Sequence, residues 1–208
     1  MNTLCDPDFL VLAESYKILA LFYHKPSKGI HDNKKLYDHL IKSACQINQK
    51  AIEVAKRLRN TRNELRLEEQ IAEYSRLFDN GGNKLPSLCG TRYLEPTLPE
   101  PDDGQIKWLT DIYSEAGFET GNLDVPIDHI SVELLFIHHL LKNEAKGLKE
   151  DDMSVINHFG ELRCKFVREH MAKWVPEFTR CIITHSKSPY YLQLAILTRT
   201  IIVNCPGE

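Results

Sequence analysis

No stretch of this 208-residue sequence approaches the roughly 18 consecutive apolar residues that a membrane-spanning helix requires. The first ten residues, Met1 to Leu10, lack both a basic cluster and an apolar core, so a secretory signal is not expected. Together these absences point to a cytoplasmic protein with no direct membrane insertion. Charge of one sign is also missing in bulk. Lys and Arg number 26 against 29 Asp and Glu, a net charge of −3, which excludes the basic excess of a nucleic-acid or membrane-surface binder.

Motifs for chemistry are scarce. The six cysteines, at 5, 45, 89, 164, 181 and 205, form no CxxC, so no zinc knuckle is expected and the thiols read as small core fillers. Cys89 is the one to watch, because it lies in a loop. There is no GxGxxG and no GxxxxGK[ST], and Gly81-Gly82 reads as a helix stop. HExxH and Glu-x-x-His are absent, which removes zincin and di-iron bundle sites. His138 and His139 are neighbours on a helix, about 100° apart, and cannot share a face. Neither metal nor cofactor is expected. No alternating strand pattern of useful length and no internal repeat occurs, apart from an ambiguous tail at Thr200 to Val203.

What is present is helical periodicity. Hydrophobic residues make up 42% and aromatics 9%, enough for a real core. The spacing predicts helices over about 7–24 (capped by Asp6, with Pro7 in its first turn), 32–46, 47–60, 63–79, 104–117, 127–146, 151–172, 174–185 and 189–203. Gly117 and Gly147 read as stops, and Pro176 as a first-turn residue. The expected architecture is an all-α globule of eight or nine helices in one domain spanning 1–208. Hinge-prone loops are expected at about 80–103, holding Pro86, Pro96, Pro99 and Pro101, and at 119–125. Such loops would also permit a domain-swapped homodimer.

Charge is unevenly placed. Lys50, Lys56, Arg57, Arg59, Arg62 and Arg66 read as a solvated helix face. From Glu95 to Glu133 there are ten acidic residues and one basic, Lys107: Glu95, Glu100, Asp102, Asp103, Asp111, Glu115, Glu119, Asp124, Asp128 and Glu133. That local −9 leaves +6 on the remainder and suits either plain solubility or the landing of a basic peptide. Within it, His129 and Glu133 stand at i, i+4, and Asp128 sits at a helix start. Three readings stay open for this trio. It is a helix cap with a His–Glu pair, a guanidinium-accepting binding site, or the acid–base group of a small helical hydrolase. Tyr74, Leu77 and Phe78, where a helix runs into the proline loop, are either core or an apolar peptide-binding wall.

Four motifs, in order over about 70–205, carry a resemblance. Glu73-Tyr74-Ser75-Arg76-Leu77-Phe78 resembles E-Y-x-R-L-F. Pro126-Ile127-Asp128-His129-Ile130-Ser131-Val132-Glu133-Leu134 resembles P-x-D-H-x-x-x-E-L. His170-Met171-Ala172-Lys173-Trp174-Val175-Pro176-Glu177-Phe178 is similar to H-L-x-x-W-x-P-x-F, and Tyr190-Tyr191-Leu192-Gln193-Leu194-Ala195 to a last helix of the same family. The family is that of the TorD/DmsD/NarJ redox enzyme maturation chaperones. One departure stands out. Where the family has Pro-Pro-aromatic-Glu-Ser-x-Tyr, this chain has Ser87-Leu88-Cys89-Gly90-Thr91-Arg92-Tyr93, keeping Tyr93 and offering Thr91 for serine, with Pro86 displaced.

The resemblance implies a helical, non-enzymatic chaperone. Its partner would be the twin-arginine leader, or an N-terminal remnant of one, on a molybdopterin oxidoreductase catalytic subunit, held during cofactor insertion and before assembly or export. Carried over position by position, the implied peptide contacts are Tyr74, Leu77, Phe78, Pro86, Tyr93, Asp128 and His129, with Glu133 added as a guanidinium acceptor.

Overall fold

A computed structural model describes residues 8–79, 85–94, 103–121 and 124–203. Asp6, Pro7, the Asn80-Gly81-Gly82 stop, Pro96, Pro99, Pro101, Glu95, Glu100 and Asp102 lie outside these residues. Among the described residues every regular element is helical. Eight long helical runs and two single turns account for it, as the all-α expectation requires.

Helix α1 (Phe9–Phe22) is capped by Asp8, whose carboxylate accepts from the free N–H groups of Leu10 and Val11 at 3.2 Å. After the short α2 (Lys28–His31), α3 (Lys34–Ala44) and α4 (Gln49–Glu64) form a hairpin, and Asn48 caps α4 by accepting from Ala51 N. Helix α5 (Leu67–Tyr74) runs straight into a π turn, Ser75–Asp79. A single turn α6 (Thr91–Leu94) precedes α7 (Asp103–Glu115), which Gly117 closes with φ +62, as a C-terminal glycine should. Then come α8 (Ile130–Glu150) and α9 (Met153–Phe166). A second π turn, Val167–Met171, carries α9 without a break into α10 (Ala172–His185). Helix α11 (Pro189–Val203) ends the described chain, so the ambiguous tail is helical.

Four boundary expectations are overturned. The first helix begins at Phe9 and is capped by Asp8, not by Asp6, so Pro7 is not in its first turn. Gly147 does not stop α8. It is a buried contact point, where a Cβ would lie 2.9 Å from Ile156 Cγ1 and 3.1 Å from Asp152 O. The helix ends instead at Asp151, a non-glycine residue with φ 56, and Asp152 then caps α9. Pro176 lies inside α10. Its missing N–H falls just after the π turn, where the i→i−4 pattern is already interrupted. Finally, α8 begins at Ile130 rather than 127, because the backbone at 128–130 is bonded across to residues 88–90.

Helix α8 is central, packed between α1 and α9, and its first turn, Ile130 to Leu134, is buried on every side. Helix α11 lies against α10 and α4, and the α3–α4 hairpin closes on α1. One connected apolar core results, with Trp174, Tyr16, Tyr23, Phe136, Phe166 and Phe178 among its largest buried side chains. The α8–α9 crossing also holds a buried ion pair. Arg163 Nε and Nη2 donate to the two Glu144 oxygens at 2.6 and 3.0 Å.

Removing one partner of such a pair strands a charge, at a cost of about 3–5 kcal/mol. Arg163→Met is expected to lose that much in urea unfolding, and Arg163→Met with Glu144→Leu to recover most of it. A double variant no more stable than the single would refute this account of the crossing.

Candidate functional site

The motifs meet in pairs. In the first pair, Glu73 and Arg76 form a two-pronged ion pair at 2.7 and 2.8 Å. Both then grip the α10–α11 turn: Arg76 Nη2 donates to His185 O at 2.6 Å, and Glu73 Oε1 accepts from Lys187 N at 2.6 Å. From the same helical run Tyr74 and Phe78 make tilted and edge-on ring contacts with each other and with Tyr191, and Tyr191 Oη donates to Gln70 O. The first signature therefore fastens the last one.

The second pair is buried deeper. Glu133, fully enclosed in the first turn of α8, accepts from His170 Nε2 at 2.7 Å and from Trp174 Nε1 at 3.1 Å. His170 lies in the π turn and Trp174 one turn beyond. Burial pushes the Glu133 carboxyl above its ordinary range, against the pull of His170. Against this group lies the stretch in which the chain departs from the family pattern. Leu88–Gly90 runs antiparallel to Asp128–Ile130, with Gly90 N donating to Asp128 O at 2.9 Å and Ile130 N to Leu88 O at 2.8 Å. Asp128 accepts from Thr91 Oγ1 at 2.5 Å and Thr91 N at 3.3 Å, so it caps α6 rather than α8. This is where Thr91 substitutes for serine. Tyr93 closes the segment by stacking on Trp174 and bonding Ser87.

His129, not Asp128, caps α8: its Nδ1 accepts from Ser131 N at 3.1 Å. The Nε2 atom must then carry the proton in the neutral ring. Burial and, secondarily, the nearby His24 lower its pKa to about 4, against the pull of Asp128. The expected His129–Glu133 pair does not form, since Glu133 turns to His170. The three members of the hydrolase trio are thus bonded to three different partners. Cys89 offers no nucleophile either, because burial and then Asp128 push its thiol up to about 12.

The two pairs are joined through the end of α1. Tyr74 Oη donates to Tyr23 O at 3.2 Å, Lys25 reaches Asp79 at 3.5 Å, and the His24 ring lies 5.8 Å from that of His129. Of the eight residues singled out from the sequence, Leu77 and Glu133 are fully enclosed, Tyr74, Pro86, Asp128 and His129 are buried, and Phe78 and Tyr93 reach the surface in part. Of the ten acids counted from Glu95 to Glu133, Asp103, Asp111, Glu115, Glu119 and Asp124 are exposed, whereas Asp128 and Glu133 are not. Site reasoning from sequence missed His24, Gly90, His170 and Trp174. The last two were visible in the third signature; the first two carry no signal outside the fold.

Residues 36–180 match the model of a known family, the nitrate reductase delta subunit. The chain belongs to that family. It is the TorD/DmsD/NarJ group that the four motifs resemble. A chaperone protein TorD from Aliivibrio fischeri is 25% identical over 103 residues, which is 50% of this chain and 45% of that protein. The aligned part therefore spans less than half of that relative's length. A crystal structure of a candidate redox enzyme maturation protein from Archaeoglobus fulgidus superposes with a TM-score of 0.54 at 19% identity, covering 91% of this chain and 93% of that one. The two share a fold. No helix among the described residues is long and apolar enough to cross a membrane.

Two outcomes test the family member's buried joint. A Cβ on Gly90 would lie 2.8 Å from Trp174 Cε2 and 3.2 Å from Glu133 Oε1. Gly90→Ala should therefore cost about 1–3 kcal/mol and shift the Trp174 fluorescence, and an unchanged spectrum would show the packing to be looser. Acidification tests the cap. A histidine held near pKa 4 when folded and 6.5 when unfolded takes up its proton first in the unfolded chain. Stability should thus fall from pH 6.5 towards 4, by up to about 3 kcal/mol. Glu133 acts in the opposite sense, so the comparison with His129→Asn, which keeps a capping acceptor, isolates the effect. Equal acid sensitivity in both proteins would overturn the assignment.

Proposed function

We propose that this chain is a redox enzyme maturation chaperone that binds a basic–apolar N-terminal segment of a molybdopterin oxidoreductase catalytic subunit and makes or breaks no bond in it. The bound segment is a twin-arginine leader or its remnant, held during cofactor insertion and before assembly or export. The observation that carries this reading is family membership over 36–180. The relative named TorD is a chaperone, which is consistent with it.

The geometry supports a particular arrangement. Phe78 and Tyr93, partly exposed, are the apolar contacts. Tyr74, Leu77, Pro86 and Glu133 shape the wall from beneath. Asp128 and His129 set the position of the chain at the α8 start. The exposed Asp103, Asp111, Glu115, Glu119 and Asp124 steer the paired arginines by long-range attraction. Asp128 is buried beneath the cap, so its charge reaches the surface only through the intervening protein.

Calorimetric titration with a leader peptide bearing two adjacent arginines and an apolar stretch should give binding that weakens as salt rises. Asp128→Asn retains an acceptor for Thr91 and removes the charge, and is expected to lose about tenfold in affinity, about 1.4 kcal/mol, with the fold intact. Phe78→Ala should lose a similar amount without changing the salt slope. Undiminished affinity in both variants would remove these residues from the site.

A further inference from the structure

The end of α1 lies outside every motif read from the sequence, yet it is where the two motif pairs touch. Tyr23 accepts the Tyr74 hydroxyl, Lys25 pairs with Asp79 at the end of the first π turn, and between them His24 turns its ring to His129 at 5.8 Å with an interplanar angle of 32°. His24 is half-buried, so the residue is open to solvent in part. Neighbouring groups lead from Phe78 through Asp79, Lys25 and His24 to His129 and Cys89. Apolar, charged and imidazole groups are thus neighbours here.

We propose that His24 is a contact residue for the basic part of the bound segment, and that it acts together with His129. This rests on the proposed peptide binding and adds to it a specificity residue from the N-terminal region, outside the span that matches the family model. Two imidazoles this close resist simultaneous protonation, and burial lowers the pKa of each. At neutral pH both rings are therefore uncharged, and a planar guanidinium can stack against the exposed part of His24 without repulsion. Protonating either ring places a like charge beside that guanidinium. The charged and titratable groups around the pair are Lys25 and Asp79, paired with each other, Cys89 and Arg92 on the crossing segment, and Asp128 and Glu133 on the α8 side. Among these, Lys25 and Asp79 offset each other, and Glu133 is turned to His170. Protonating the imidazole pair therefore adds positive charge to this neighbourhood.

The test uses the full chain and a fluorescent leader peptide with adjacent arginines and no Asp, Glu or His. Affinity is read by anisotropy from pH 7.5 to 5.0, with circular dichroism confirming the fold at each point. The wild type should bind more weakly at pH 5.0 than at 7.5. His24→Arg, which fixes a positive charge at the rim, should bind at least tenfold more weakly than the wild type at pH 7.5. His24→Gln should bind within a few-fold of the wild type at pH 7.5 and show a flatter pH response. A His24→Arg protein that binds like the wild type at pH 7.5 overturns the assignment of His24, while leaving peptide binding itself intact. A wild type that does not bind the peptide at any pH overturns the peptide-binding reading, and this contact with it.

Discussion

A carboxylate with no access to water must find its hydrogen-bond donors inside the protein, and Glu133 finds them on the helical run that begins at Met153. His170 and Trp174 donate to its two oxygens. An ionised or half-ionised group in such a place is costly unless each lone pair is engaged. The cost imposes order: α8 and the α9–α10 run can approach in one register only, the one that aligns Glu133 with the π turn. Gly90 then has to be a glycine, because the indole and the carboxylate occupy the space a side chain would need. Through Gly90 the whole 85–94 segment inherits its position, and through Thr91 and Asp128 the start of α8 is held in turn.

The two π turns belong to the same logic. Each overlaps a family signature, one carrying Arg76, Leu77 and Phe78, the other His170. A π turn inserts one residue into the helical repeat and rotates every later side chain about the axis, a conformation that is costly unless tertiary contacts hold it. Here the contacts are specific: Arg76 to His185 O in one case, His170 to Glu133 in the other. The signatures are thus joints before they are binding surfaces. This explains why so many of the residues first read as peptide contacts are buried.

Much of the architecture was legible because it rests on local rules. Periodicity located the long helices, Gly117 ended α7 as expected, and four motifs in order indicated the family. Where reading from sequence failed, the deciding partner was remote in the chain. Gly147 carries the sequence mark of a stop but serves a helix crossing, and Pro176 carries the mark of a start but comes after a π turn. Asp128 has the residue type of a cap and caps a different helix from the one it precedes. His129 and Glu133 have the spacing of a pair, yet each is claimed by a better partner: the backbone of Ser131 for one, His170 for the other. His24 had no local mark at all.

The distribution of charge follows from the same division between joint and rim. Counted along the chain, Glu95 to Glu133 looks like one acidic field. In the fold it separates into two kinds of carboxylate. Asp128 and Glu133 are consumed by internal bonds, and their charge is felt at the surface only through the intervening protein. Asp103, Asp111, Glu115, Glu119 and Asp124 face water, where salt screens them over about 8–10 Å. Under the proposed reading, a basic ligand is gathered by the second group at long range, an attraction that rising ionic strength weakens, while the first group acts by holding the walls of the site in place.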